Sequence, residues 1–277
     1  MVPALYAGNT PREVLNLNPS WKYSRGDDAG AERTAYDDSA WERVGLPHSF
    51  SIPYFMSKDF YVGYGWYRRE VDLTAKQLKK KIFLEFDGVF QEAEVFVNGV
   101  RAGSHVGGYT GFSIDITPQA RKGRNVIAVR VNNLWHPDRA PRAGEHVFSG
   151  GIYRNVRLVL KSPAYIDWYG TSVTTPDLAR NDGRSSTVRV VNATGSEATF
   201  RLQTEVVDAE GRTVASVTDD YKIASGASVQ ADQTTPAVEQ PVCWSPEQPY
   251  LYKVVSTLSR KGRMLDRTET VLGFRWM

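Results

Sequence analysis

The chain of 277 residues contains a single cysteine, Cys243, and this scarcity excludes an internal disulfide. One thiol does not fix the redox compartment in which the protein works. Its neighbours Val242 and Trp244 are apolar. They predict that the thiol is buried and acts as a small apolar filler.

Long apolar runs are also missing. None approaches the roughly 18 residues that a membrane-spanning helix needs, so we expect no membrane insertion. The first residues lack the basic-then-apolar pattern of a signal peptide. The location therefore stays open between the cytoplasm and, if a signal peptide was removed, the periplasm or the cell exterior.

Motifs that carry self-sufficient chemistry are equally scarce. The sequence has no histidine pair spaced for a metal on a helix, no paired cysteines, no glycine loop for phosphate and no nucleophile elbow. We therefore predict no metal, no cofactor and no catalytic residue in this chain. His48 and His105 are each interpreted as hydrogen-bonded structural residues.

Charge of one sign does not dominate, because the sequence contains 34 basic and 31 acidic residues and has a net charge of +3. The charges are scattered, and the longest basic run, Lys79–Lys81, lies beside an apolar strand pattern. Such a run is typical of a solvated strand terminus, so nucleic acid is not expected as a partner.

No window longer than about ten residues carries a helical apolar stripe, whereas alternation of period two recurs. In Ile82–Asp87 the residues Ile82, Leu84 and Phe86 face one way, and Phe200–Val206 alternates in the same manner. Turn signals separate such runs, at Asn98-Gly99, Asp182-Gly183, Glu210-Gly211 and Lys261-Gly262. Many short strands without helices between them predict an all-β protein of antiparallel sandwiches.

A domain boundary is predicted near Lys161–Pro163, where one strand ends and Tyr165–Trp168 begins another. The domains would then be residues 1–162 and 163–277. The second part has the length and strand spacing of an immunoglobulin-like sandwich.

The segment Gly107–Phe112 contains three glycines, which permit positive φ and close backbone approach. A ligand-binding role is one interpretation. We favour a tight turn that lets Tyr109 and Phe112 enter the core.

A polar stretch of roughly 15 residues, here called the long loop (Trp135–Ser149), connects two predicted strands. Long loops without regular structure are disproportionately functional. The side chains that offer donors and acceptors to sugar hydroxyls are those of Asp138, Arg139, Arg142, Glu145 and His146. The alternative is a surface loop ordered only by ion pairs, such as Arg142 with Glu145, and the sequence leaves both open.

Several stretches together resemble one known family, glycoside hydrolase family 2, the β-galactosidase, β-glucuronidase and β-mannosidase group. In the first part they are Trp41–His48 (W-x-x-V-x-L-P-H), Gly65–Arg68 (G-W-Y-R), Phe86–Val89 with Val95–Gly99 (F-D-G-V and V-x-V-N-G), Gly107–Phe112 (G-G-Y-x-x-F) and Gly151–Arg154 (G-I-Y-R). In the second part they are Trp244–Tyr252 (W-S-P-x-x-P-x-L-Y) and Gly273–Arg275 (G-F-R). Each motif alone is weak, but their order covers nearly the whole chain.

The resemblance implies a jelly-roll, galactose-binding-like domain followed by an immunoglobulin-like domain. Retaining members use two glutamates about 5 Å apart, one as acid/base and one as nucleophile. In the family these glutamates belong to a (β/α)8 barrel, which is absent from these 277 residues. No residue here matches either glutamate, so we expect the chain alone to be inactive.

One stretch departs from the family pattern. Many members carry R-W-Y-x-G-x-G-I-Y-R before the last strand of the first domain, whereas this sequence reads differently over Arg142–Gly151. In relatives, loops of this domain approach the barrel mouth. The resemblance therefore makes Glu145 and His146 candidates for shaping substrate access.

Three functions remain as expectations. The first is the N-terminal, non-catalytic portion of a β-glycosidase, whose main partner is its own missing catalytic barrel. The second is a stand-alone carbohydrate-binding module, although a fold alone does not establish such a role. The third is an oligomer-interface module that forms a homo-oligomer.

Overall fold

The structure, a computed structural model, describes residues 11–50, 61–139, 150–175 and 184–275. The chain divides into two compact units. The first unit is Val14–Leu160, and the second contains the described residues up to Glu13 and those from Lys161 onward. In the part of the chain that is described, the one helical element is a 3-10 turn at Gln77–Lys79.

Ten strands build the first unit in two sheets. In chain order they are β1 Glu13–Asn16, β2 Trp21–Arg25, β3 Glu42–Val44, β4 Tyr64–Leu73, β5 Lys81–Phe86, β6 Glu92–Val97, β7 Val100–Val106, β8 Phe112–Asp115, β9 Gly123–Asn132 and β10 Val156–Lys161. The six-stranded sheet has the order β3-β2-β4-β9-β6-β7 and the four-stranded sheet the order β1-β10-β5-β8. Both sheets contribute apolar side chains to one core, including Trp21, Tyr67, Leu84 and Leu158.

Seven strands build the second unit. They are β11 Ala164–Thr174, β12 Arg184–Asn192, β13 Ala198–Val207, β14 Thr213–Ile223, β15 Ser228–Thr235, β16 Tyr252–Arg260 and β17 Arg263–Leu272. The sheets have the orders β11-β12-β15 and β14-β13-β16-β17. Three strands facing four is an immunoglobulin-like arrangement. The predicted fold class, two all-β sandwiches with the immunoglobulin-like one second, is confirmed.

The hairpin turns follow the sequence signals. Asn98 and Gly99 have φ of 54° and 84°, and Lys261 and Gly262 have φ of 49° and 73°. Two successive residues of positive φ are typical of the type I′ turn that joins adjacent antiparallel strands. The predicted turn at Asp182-Gly183 lies outside the described residues.

The burial of one residue differs from its prediction. The thiol of Cys243 is exposed, so the prediction of a buried filler was wrong. Its backbone forms an isolated bridge to Phe274, whose ring is fully buried and fills the core instead. In β5, Glu85 is buried beside Leu84 and Phe86, because both faces of this strand are covered.

An ion pair within the second unit joins residues far apart in sequence. Arg12 Nε donates to Asp266 Oδ1 at 2.9 Å, and Arg12 Nη2 donates to Asp266 Oδ2 at 2.6 Å and to the Ile166 carbonyl at 2.8 Å. The backbone N–H of Ile166 also donates to Asp266 Oδ2, at 2.8 Å. Both charged side chains are almost fully buried. This bidentate geometry is the one that makes a buried pair tolerable.

Among the described residues, no helix is long and apolar enough to cross a membrane.

Candidate functional site at one end of the six-stranded sheet

One end of the six-stranded sheet of the first unit gathers several strand termini. Tyr64, Asn132, Glu92 and Val106 lie in one row across β4, β9, β6 and β7, because each is paired with the next. β4 and β6 begin at this row, and β9 and β7 end there. The connections that leave this end, including the long loop, therefore start close together. We call this region the sheet end.

The described part of the long loop, Trp135–Arg139, lies directly beyond Asn132. The Trp135 side chain is 63% exposed, which is unusual for so large an apolar group. His136 Nδ1 accepts a hydrogen bond from the Asp138 backbone N–H at 3.3 Å. The Asp138 carboxylate is 85% exposed and 3.7 Å from His136 Nδ1. Asp138 therefore keeps acceptor capacity directed to solvent.

Arg139 returns toward the sheet. Its guanidinium forms an ion pair with the Glu92 carboxylate, and Glu92 also accepts from Asn132 Nδ2 at 3.2 Å. The side-chain oxygen of Asn132 in turn accepts from the Leu134 backbone N–H at 3.2 Å. Asn132 is buried. It thus links the strand terminus to both the loop backbone and the charged pair.

A second exposed aromatic, Tyr109, lies on the turn after β7. Its side chain is 59% exposed and packs edge-to-face on Phe90 with 5.7 Å between ring centroids. Phe112 is buried, so the prediction that both rings enter the core was right for Phe112 and wrong for Tyr109. The reason is Gly108. A Cβ there would lie 2.2 Å from the Phe90 ring, so Phe90 occupies the space beneath the turn.

The same turn is tied down by main-chain bonds. The Gly108 carbonyl accepts from Tyr153 Oη at 2.5 Å, and the Gly107 N–H donates to the Gln91 carbonyl at 3.0 Å. Phe90 exchanges two backbone hydrogen bonds with Gly151, at 2.9 and 3.0 Å. Tyr109 is therefore displayed on a fixed backbone.

His48 lies in an aromatic cluster of the same unit. Its Nδ1 is 2.8 Å from the Tyr67 hydroxyl oxygen, and its ring is 4.7 Å from that of Tyr23. Burial, together with the nearby Arg25 guanidinium, lowers the pKa of His48 to about 4. A neutral imidazole held by Tyr67 has a structural role, as expected from the sequence.

His105 is structural for a similar reason. Its ring stacks on Phe112 at 4.4 Å, and its Nε2 lies 3.1 Å from Thr110 Oγ1. Burial also lowers the pKa of His105. The described residues contain no cluster of three or more His, Cys, Asp or Glu suited to a metal ion.

Of the five residues predicted to bind a ligand, Asp138 and Arg139 lie at the sheet end, and Arg142, Glu145 and His146 lie outside the described residues. The structure adds Glu92, Asn132 and Tyr109, which sequence reasoning missed. The alternation of Glu92–Val97 signalled a strand but not the register that brings Glu92 beside Asn132. The sheet end offers charged donors and acceptors beside exposed rings, the groups that recognise polyhydroxylated ligands.

Comparison with known proteins places this geometry in a family. The model of "Glycosyl hydrolases family 2, sugar binding domain" matches residues 27–163, and that of "Glycosyl hydrolases family 2" matches residues 164–275. The chain belongs to glycosyl hydrolase family 2. Its two units correspond to the N-terminal, non-catalytic domains of the family's β-glycosidases.

Relatives within family 2 carry different names. A Bacteroides ovatus protein, beta-galactosidase BoGH2A, is 32% identical over 96% of this chain and 32% of its own length. A Thermoanaerobacter pseudethanolicus beta-galactosidase is 34% identical over 95% of this chain and 35% of its own length. The crystal structure of Bacteroides uniformis beta-glucuronidase superposes with a TM-score of 0.89 at 31% identity, covering 96% of this chain and 33% of that one. The chain thus spans about a third of the length of these family 2 relatives.

Proposed function

We propose that this chain is the N-terminal part of a retaining β-glycosidase that hydrolyses O-glycosidic bonds. In this proposal the two sandwiches support a (β/α)8 catalytic barrel and help to shape its substrate pocket. The barrel would supply the acid/base and nucleophilic glutamates. The sandwiches themselves perform no bond-breaking step.

The observation that carries the proposal is the coverage. Galactosidase and glucuronidase relatives match nearly all of this chain with only about a third of their own length. The remaining two thirds of those proteins leave room for a catalytic barrel of the usual size, about 250 residues. The sugar stays open between a galactoside and a glucuronide, because relatives of both names match equally well.

We further propose that the sheet end takes part in substrate access. We place Asp138, Arg139, Arg142, Glu145 and His146 at the rim of the pocket, with the Arg139–Glu92 pair fixing the start of the long loop. Asp138 is the exposed acceptor among the described members of this set. Its carboxylate is mostly exposed and is therefore available to sugar hydroxyls.

The test begins with this chain alone and aryl β-galactoside, β-glucuronide and β-mannoside substrates. We expect no turnover, because no glutamate pair of the family motif is present. The coding sequence that follows should then encode a barrel with two glutamates, and joining that barrel to this chain should give hydrolysis. Turnover by the repurified chain alone, at a rate typical of an intact glycosidase, would refute the proposal.

A second function, carbohydrate binding by the isolated chain, is favoured by one observation. Trp135 and Tyr109 are both more than half exposed at the same sheet end, and exposed aromatic rings are common platforms for sugars. Calorimetric titration with the three sugar classes separates the functions. Millimolar or tighter binding that Trp135→Ala abolishes supports a binding module. Flat isotherms for all three sugar classes would contradict it, and only the scaffold role would remain.

A further inference from the structure

The interior of the second unit is divided by a band of polar side chains, which we call the polar layer (Thr204, Gln233, Thr235, Ser256 and Thr268). All five are buried, Thr204 and Ser256 completely. On β13 the inward residues are Leu202, Thr204 and Val206 in turn. On β16 the inward residues Val254, Ser256 and Leu258 repeat this pattern.

The polar layer separates two apolar clusters. One contains Leu202, Ala231 and Leu258, and the other contains Val206, Val254 and Leu272. Both β13 and β16 therefore pass from one cluster to the other through a polar residue. A buried polar residue at the same level of two adjacent strands is unusual, because proteins generally avoid isolated buried hydroxyls.

Part of the polar layer is satisfied within the protein. Thr204 Oγ1 donates to Gln233 Oε1 at 2.6 Å. Gln233 Nε2 donates to the Leu202 carbonyl at 3.1 Å and to Asp219 Oδ2 at 2.8 Å. The amide of Gln233 thus uses both of its N–H donors, and its oxygen accepts from Thr204.

The other three hydroxyls of the polar layer, on Thr235, Ser256 and Thr268, have no hydrogen-bond partner among the described protein atoms. Ser256 and Thr268 are directly opposite each other on β16 and β17. Side chains so paired have Cβ atoms about 4.5–5.5 Å apart. One water that bonds two oxygens at about 2.8 Å each spans a gap of this size.

We propose that the polar layer is a binding site for internal water, with Ser256 and Thr268 bridged by an ordered water molecule. Buried waters typically make about three hydrogen bonds to polar groups that the protein leaves unpaired. Two hydroxyls from adjacent strands supply such bonds, and Thr235 supplies a further site in the same layer. The water holds β16 and β17 together at the level where neither apolar cluster reaches.

The experiment compares Thr268→Val, Ser256→Ala and the double variant in the 277-residue chain. Hydrogen exchange of β16 and β17 amides reports the unfolding equilibrium of the second unit. If a shared water is bound, each single change raises that equilibrium constant about tenfold. The double change raises it by no more than the larger single change, because either loss removes the same bridge.

The matched control is Thr257→Val, which makes the same chemical change at the next position of β16, on the outward face. We expect it to leave the equilibrium constant within about twofold. A dry polar layer gives the opposite result for the test variants. Thr268→Val would then lower the unfolding constant, since it removes an unsatisfied hydroxyl without changing shape.

A second measurement keeps the test valid if the variants fail to fold. In the unaltered chain, nuclear Overhauser contacts between the Thr268 methyl group and slowly exchanging water are expected. Their absence, with the Thr268 resonances assigned, would overturn the proposal.

Discussion

Both units are sandwiches, but their hydrophobic cores are organised differently. The first has a main cluster of 24 buried residues that runs without interruption between its sheets. The second has clusters of ten and seven residues with the polar layer between them. An uninterrupted core supplies stability through apolar area, whereas a divided one depends on specific polar partners.

The two units also differ in where their exposed rings and buried polar groups lie. In the first unit, large rings such as Tyr109 and Trp135 remain exposed at the sheet end although the core has many other aromatics. In the second unit, the distinctive polar groups are inside. Tyr169 of the second unit is also exposed, so it is the grouping of two rings with charged side chains at the sheet end that favours the first unit for ligand tests.

The largest expected effect is in the uninterrupted core. Trp21 is fully buried, packs edge-to-face on Tyr67 and donates its Nε1–H to the Leu17 carbonyl. Trp21→Ala should lower the free energy of unfolding of the first unit by about 4 kcal/mol. Chemical denaturation followed by hydrogen exchange measures it. Trp135→Ala, the same change at an exposed ring, should cost under about 0.5 kcal/mol, and an equal loss in both would contradict the burial.

Next in size is the buried ion pair of the second unit. Asp266→Ala leaves the Arg12 guanidinium buried without its carboxylate, and we expect a loss of about 3 kcal/mol in the unfolding free energy of that unit. The first unit should be unaffected. Arg201→Ala is the control, because its pair with Asp220 is mostly exposed and should contribute under about 1 kcal/mol. Similar losses for the two pairs would show that burial is not what matters.

A pH effect should be confined to the first unit. Because the folded pKa of His48 is lowered to about 4 from an ordinary value of 6.5, the folded state favours the neutral ring. Its contribution is complete above pH 6.5 and is lost as the pH falls toward 4. The expected loss is about 2 kcal/mol between pH 6.5 and 5. His48→Gln should remove this slope, and a slope that persists unchanged in the variant would assign it to another group.

The smallest prediction compares equivalent turns in the two units. Gly99 and Gly262 both have positive φ, and a Cβ at either would meet no atom closer than 3.8 Å. Gly99→Ala and Gly262→Ala should therefore each cost about 1 kcal/mol, from backbone conformation alone. Each loss should appear only in its own unit. Thermal unfolding resolved by residue-level probes makes this comparison.

The sequence predicts those parts of the fold that depend on local patterns, namely the strands and the tight turns. Alternation identified β5 and β13, and Asn98-Gly99 and Lys261-Gly262 identified the β6–β7 and β16–β17 hairpins. Tyr109 and Cys243 were misplaced because their burial depends on competitors for the same space, the Phe90 and Phe274 rings. No local signal distinguishes which of two nearby apolar groups fills a core.

The candidate site was predictable only in outline. The polar composition of the long loop pointed to Asp138 and Arg139, but their partners come from strand register. Glu92 meets Asn132 because β6 pairs with β9 in one particular alignment, and the sequence does not encode that alignment locally. The boundary predicted near residue 162 likewise carries no hint that Arg12 lies in the second unit.

Arg12 and Asp266 are 254 positions apart, and this separation has a consequence for synthesis. During synthesis the arginine precedes the whole first unit and the aspartate follows it. The first unit is complete on the nascent chain while the second still lacks its internal anion. The second unit therefore cannot finish before the first, although one of its buried residues is made earlier, and its assembly depends on contacts that are non-local in the chain.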